Sequence, residues 1–146
     1  MTTVWTSMPA IKSRPMELVF EIPISRTKEF WDWIEKGEFR TTRCKGCGAL
    51  YFPPVADCPE CKTSEMEWVG LDGRGEIEAF THVIVRPASF QHREPYTIAI
   101  ARLIDGIKVL AWLREAKITD VDVGLKVRLT AGKTLEGEAS YWFVPE

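Results

Sequence analysis

The chain has 146 residues, of which 45% are hydrophobic and 27% charged. That is ordinary for a soluble globular protein, and long enough for one domain or two small ones that bury about two-thirds of their unfolded surface. A formal net charge of −2 speaks against a general nucleic-acid coat, which has to be strongly basic. No apolar run reaches the ~18 residues of a membrane-spanning helix. The start, Met1-Thr2-Thr3-Val4-Trp5, lacks the charged-then-apolar pattern of a secretion signal. Metal-type cysteines without an export signal predict a reducing, cytoplasmic setting.

Residues 1–24 are interrupted by Pro9, Pro15 and Pro23, which break any long helix, so an arm lying on another part of the molecule is expected. A helix follows. Ser25 or Thr27 can cap its start, and Gly37 can take the left-handed position that ends it. Phe30, Trp33 and Ile34 fall on one face at i, i+3, i+4 spacing and read as core. Trp31 stands about 100° round from Phe30, on the flank, and reads as a partner or ligand surface. The arm and helix occupy 1–37.

Residues 38–66 carry the strongest signal. Cys44-Lys45-Gly46-Cys47-Gly48 is followed, after a short insert, by Cys58-Pro59-Glu60-Cys61, and these are the chain's four cysteines. A C-x-x-C turn sets two sulfurs close together with backbone N–H groups aimed at them. Two such turns face to face form a tetrahedral tetrathiolate cage, suited to zinc and also to iron in a rubredoxin-like centre. Four cysteines close every coordination position, so the metal is a staple and not a catalyst. The flanking segments, 38–43 and 49–54, can pair as a hairpin, which is marginal alone in water; metal binding contributes on the order of 10–16 kcal/mol in such peptides. Lys36, Arg40, Arg43 and Lys45 surround the first turn, opposed in the nearby sequence by Glu38. One reading is that they offset the net charge of the thiolates; the other is a phosphate-binding patch.

From 67 to 146 the text is β-like. Glu76 to Arg86 alternates, with Ile77, Ala79, Thr81, Val83 and Val85 expected on one face and His82 on the other. A loop bracketed by Pro87 and Pro95 follows. Tyr96–Ile104 and Ile107–Leu113 flank Asp105-Gly106, a strong two-residue hairpin signal. Leu125–Thr130 and Ala139–Val144 complete five main strands. Five antiparallel strands of these lengths predict a closed OB-type barrel, since a sandwich would need about seven. The fold class is therefore mainly β: helical arm, rubredoxin-like ribbon, five-stranded barrel. Separate cores are expected for ribbon and barrel.

The order helix with Phe30-Trp31, Gly37, Arg43-Cys44-x-x-Cys47-Gly48, Pro53-Pro54, Cys58-Pro59-x-Cys61, Trp68, Gly73-x-Gly75 and then a barrel resembles one family. It is that of two-domain proteins with a rubredoxin-like zinc ribbon followed by an OB-fold, long catalogued as a domain of unknown function. The resemblance covers about residues 25–144. It implies an accessory subunit of acyl-CoA enzymes such as thiolases, hydroxymethylglutaryl-CoA synthase, or steroid side-chain hydratases and aldolases. It also implies a role in holding acyl-CoA or bridging two enzymes.

The residue inventory fits a protein without turnover of its own. The four thiols are committed to metal, and His82 and His92 show no nucleophile–base–orienter arrangement. The leading expectation is a non-catalytic acyl-CoA-binding scaffold. Lys36, Arg40, Arg43 and Lys45 would supply cations to the phosphates, and Trp31 would wall the pantetheine arm. The alternative is a single-stranded nucleic-acid module using Phe80, Phe90, Tyr96 and Trp112, with Lys108 and Lys133, as a stacking platform, although most of these aromatics read as barrel filling.

Overall fold

A computed structural model describes Ile11 and residues 20–146. The expected N-terminal arm therefore lies almost wholly outside the described residues. Helix α1 spans Lys28–Glu35 with Thr27 at its N-cap position. Gly37, at φ 78, ends it as expected, with its N–H donating to the Ile34 carbonyl at 3.0 Å. Arg26 ties the chain before α1 to the ribbon, donating to Asp57 and to the Ala56 carbonyl, each at 3.0 Å.

The ribbon is a three-stranded sheet in the order β2-β1-β3. Strand β1 is Arg40–Cys44, β2 is Leu50–Tyr51 and β3 is Met66–Gly70. Both neighbours pair antiparallel with β1, with Thr42 opposite Tyr51 on one side and Trp68 on the other. The buried Thr42 hydroxyl accepts from the Val55 N–H and donates to the Val55 carbonyl, both at 2.9 Å. A buried threonine can be tolerated here because both hydroxyl roles are used. The expected division at 66/67 falls inside β3, which by its pairing belongs to the ribbon's sheet.

The remaining strands are β4 (Arg74–Val83), β5 (Tyr96–Leu103), β6 (Lys108–Leu113), β7 (Lys126–Lys133) and β8 (Ala139–Pro145). They close into a barrel in the order β4-β5-β6-β8-β7. This is the expected five-stranded OB-like architecture. The closing seam is a short parallel contact, Leu113 opposite Phe143. Asp105 of the β5–β6 hairpin accepts from the N–H groups of Asp72 and Gly73, and so ties the ribbon–barrel connection to the barrel.

Two expectations are corrected here. The first concerns β4. Ile77 pairs with Ala101 and Ala79 with Ile100, so Glu78 is an extra residue, a β-bulge. A bulge inserts one residue and reverses which face the following side chains use. Ile77 is buried, but Ala79 and Thr81 are exposed. Phe80 and His82 turn to the face of Ala99 and Thr97, and His82 Nδ1 lies 2.7 Å from Thr97 Oγ1. The second concerns the cores. Phe30, Ile34 and Phe39 join one buried cluster with Ile77, Val127 and Phe143. Phe30 meets Phe52 of the ribbon and Tyr141 of the barrel edge-on, at 5.6 and 6.1 Å between ring centres. Helix α1 thus joins the two units through one apolar core.

Gly75 is buried on β4 between β5 and β7. A Cβ there would lie 2.9 Å from the Arg102 carbonyl carbon and 3.0 Å from Leu103 Cα, which are backbone atoms that cannot swing aside. Gly75→Ala should cost on the order of 1–3 kcal/mol, whereas Gly70→Ala, in open space, should stay within about 0.5 kcal/mol. Thermal unfolding of both variants checks this.

Candidate metal centre

The first turn carries Cys44 and Cys47 out of β1, and the second carries Cys58 and Cys61 between β2 and β3. The four Sγ atoms lie within 4.8 Å of one another. Cys47 Sγ and Cys58 Sγ are 3.7 Å apart. That is too long for a disulfide, whose S–S bond is about 2.0 Å. It matches the edge of a tetrahedron with metal–sulfur bonds of about 2.3 Å. The Cys47 N–H points at Cys44 Sγ at 3.5 Å and the Cys61 N–H at Cys58 Sγ at 3.4 Å, the donation that stabilises thiolates. Gly48 leaves the first turn at φ 75 and Lys62 leaves the second at φ 58. Cys44 and Cys58 are buried, and Cys47 and Cys61 face outward. The donor set fits a thiophilic, tetrahedral ion.

Tyr51 was missed by reasoning from sequence. Its hydroxyl lies 3.2 Å from Cys58 Sγ. Only the register of β2 against β1 brings it there, and no spacing announces it. The Cys61 N–H, followed by the Tyr51 hydroxyl, holds the Cys58 thiol down at about 6. Hydrogen bonding to Cys47, followed by burial, pushes Cys61 up to about 12.

The expected cationic cluster does not converge on one point. Arg40 lies over the Trp33 ring, 4.5 Å from its centre, and pairs with Glu38 at 3.2 Å. Arg43 pairs with Glu67, directly across on β3, at 2.8 Å. Three residues apart on one strand, Arg40 and Arg43 project to opposite faces. Lys36 and Lys45 are exposed. Trp31 is 36% exposed and meets Phe30 edge-on at 5.1 Å. Trp33, expected in the core, is half-buried and packs edge-on against Trp68 at 5.0 Å.

A four-cysteine ribbon followed by an OB-type barrel, with a preceding helix packed against both, defines a distinct two-domain class. Residues 31–67 match the family model described as ChsH2, rubredoxin-like zinc ribbon domain. Residues 68–131 match ChsH2, C-terminal OB-fold domain. A "DUF35 domain-containing scaffold protein" of Methanocaldococcus jannaschii is 37% identical over 86 residues, covering 58% of this chain and 61% of that relative. "Benzoylsuccinyl-CoA thiolase subunit BbsA" of Thauera aromatica is 34% identical over 74 residues, covering 51% of this chain and 50% of that one. The chain thus spans about half to three-fifths of these two relatives' length. The solved structure "Ltp2-ChsH2(DUF35) aldolase" superposes with a TM-score of 0.71 at 20% identity, over 90% of this chain and 98% of that one. The chain belongs to this ChsH2-type, DUF35 family of zinc-ribbon–OB-fold proteins. Among the described residues no helix is long and apolar enough to cross a membrane.

The metal-free site has one thiol that ionises easily and one that resists, so metal uptake must release protons. At neutral pH Cys58 is already a thiolate and Cys61 still holds its proton, so affinity should rise with pH through neutrality. It should fall more steeply once pH drops below about 6 and Cys58 gains a proton too. Chelator competition at several pH values measures this. Tyr51→Phe should weaken metal binding about tenfold, in the range of other outer-shell losses.

Proposed function

We propose that the protein is a non-catalytic, acyl-CoA-binding accessory subunit of a thiolase-type or other acyl-CoA enzyme, held in shape by a structural zinc on Cys44, Cys47, Cys58 and Cys61. The observation that carries this is the closed four-sulfur cage. It leaves no thiol for nucleophilic catalysis and no open position for a metal-bound water. The names of the relatives, a scaffold protein and a thiolase subunit, supply the context. A thiophilic d¹⁰ ion without redox chemistry suits a closed structural site, and iron is the lesser fit. A hydroxymethylglutaryl-CoA synthase-type enzyme is a second partner class of the same chemistry.

In this reading the coenzyme lies beside α1 and the first metal turn. Trp31 walls the apolar pantetheine arm, and Arg43, Lys45 and Lys36 offer cations to the phosphates, while Arg40 stays on Trp33 and Glu38. Arg43 near the end of β1 and Lys45 in the first metal turn are both exposed. The exposed Arg43–Glu67 pair holds the guanidinium at little energetic cost, so a phosphate can compete for it.

A strand-binding role is less well supported. Lys108 is engaged by Glu78 at 2.7 Å, and the bulge turns Phe80 to the inner face.

Affinity capture from the native host, read by mass spectrometry for proteins and co-bound small molecules, should recover an acyl-CoA enzyme. Calorimetry with acetyl-CoA should show Arg43→Ala/Lys45→Ala binding at least about tenfold more weakly than the parent, roughly 1.4 kcal/mol. Equal affinity of parent and variant would assign the two cations to thiolate charge alone. Elemental analysis should give one zinc per chain; stoichiometric iron and a red protein would replace zinc and keep the site.

A further inference from the structure

The barrel carries a second constellation that the reading above does not use. Tyr96 of β5 and Trp112 of β6 point outward and stack on each other, 4.3 Å between ring centres and 7° from parallel. Phe90, on a 3₁₀ turn (Ala88–Phe90) in the β4–β5 loop, packs against both at 5.9 and 6.0 Å. Most of the aromatics here were expected to fill the barrel; alternation with the buried Thr97, Ala111 and Leu113 puts Tyr96 and Trp112 on its outer wall instead.

Two arginines frame this wall. The Arg93 side chain is only 16% exposed. Its guanidinium carbon lies 5.7 Å from the Trp112 ring centre and 5.8 Å from that of Phe90. It pairs with Glu136 of the β7–β8 turn, but its Nε is buried without a hydrogen-bond partner. Arg114, just after β6, lies over Trp142 at 3.9 Å, and among the described residues no carboxylate pairs with it. Arg93, Trp112 and Arg114 line two adjoining cavities of about 540 and 210 Å³. The loops after the first and fourth barrel strands and the face of the second and third are where OB-folds take ligands.

We propose that this corner binds a mononucleotide, with a purine base against the Phe90–Tyr96–Trp112 wall and one phosphate on Arg114. The chemistry fits part by part. A flat aromatic wall favours a base by stacking, whatever its sequence context. A guanidinium held on an indole is preorganised to grip phosphate through two parallel N–H donors. Two joined chambers suit a ligand of two parts, and their size is that of a small-molecule site. The carboxylates of Glu94 and Glu115 also line the larger chamber. They disfavour the run of phosphates in a nucleic-acid strand, which needs a continuous cationic track. The buried, unpartnered Arg93 Nε is a donor that a ligand acceptor would satisfy.

Calorimetric titration of the full chain with AMP, adenosine and a short oligodeoxyadenylate tests this. Saturable AMP binding, at least about tenfold tighter than adenosine, is expected. Arg114→Ala should weaken AMP about tenfold and bring it level with adenosine, and Arg114→Lys should recover part of the loss. Loss of AMP binding in Arg43→Ala/Lys45→Ala, with Arg114→Ala without effect, would place the nucleotide at the ribbon and overturn the proposal. Absence of saturable AMP binding would overturn the proposal. So would equal affinity for AMP and adenosine on the unaltered chain, a comparison that needs no variant to fold. Tighter, strongly salt-dependent binding of the oligonucleotide would replace it with strand binding.

Discussion

The ribbon depends on bringing four sulfurs to one point. Strand β2 has two residues and β1 and β3 have five each, too little sheet to hold itself in water. The cage closes the loop between the two turns and fixes the registers that put Tyr51 against Cys58 and Arg43 against Glu67. Once those registers are set, the polar chemistry around the cage is set with them. The Tyr51 hydroxyl and two backbone N–H groups are what the protein adds beyond the ligands themselves, and each favours the charged form of sulfur.

Helix α1 extends that constraint into the barrel. Its eight residues would be marginal alone. It persists because Phe30 and Ile34 are almost fully buried in the shared core, with Phe30, Phe52 and Tyr141 packed mutually edge-on. A disturbance of the ribbon therefore reaches the barrel wall through packed rings, not through a flexible linker. In the accessory role proposed above, this packed joint would keep the ribbon and barrel surfaces in register.

Much of this was legible from residue patterns. The paired C-x-x-C spacing marks the cage, Asp105-Gly106 marks the β5–β6 hairpin, and Gly37 marks the end of α1. Each is a local rule carried by a few adjacent residues. The misses share the opposite character. The bulge at Glu78 is one extra residue in an otherwise alternating strand, and only its partner strand reveals that the count is off. The alternation Ile77, Ala79, Thr81 looks regular, yet two of those three side chains are exposed. The ion pair of Arg43 with Glu67 spans β1 and β3, so a cluster that looks unopposed along the chain is opposed in space.

The same reasoning explains why the outward aromatics were misread. In a strand, an aromatic next to alanines reads as the large member of a core layer. On β5 and β6 the alanines are the buried ones: Ala99, Ala101 and Ala111 face in, where closure of a small barrel leaves little room around Phe143, Leu103 and Val109. The larger side chains at alternating positions are thereby forced outward, Tyr96 and Ile98 on β5, Leu110 and Trp112 on β6. On these two strands Tyr96 and Trp112 thus stand on the surface, while Phe143 of β8 fills the interior, and at the end framed by Arg93 and Arg114 the outer rings meet cations. Small residues inside and stacked rings outside are two consequences of one geometric limit, and that limit sets the Tyr96–Trp112 pair beside the β4–β5 and β7–β8 loops.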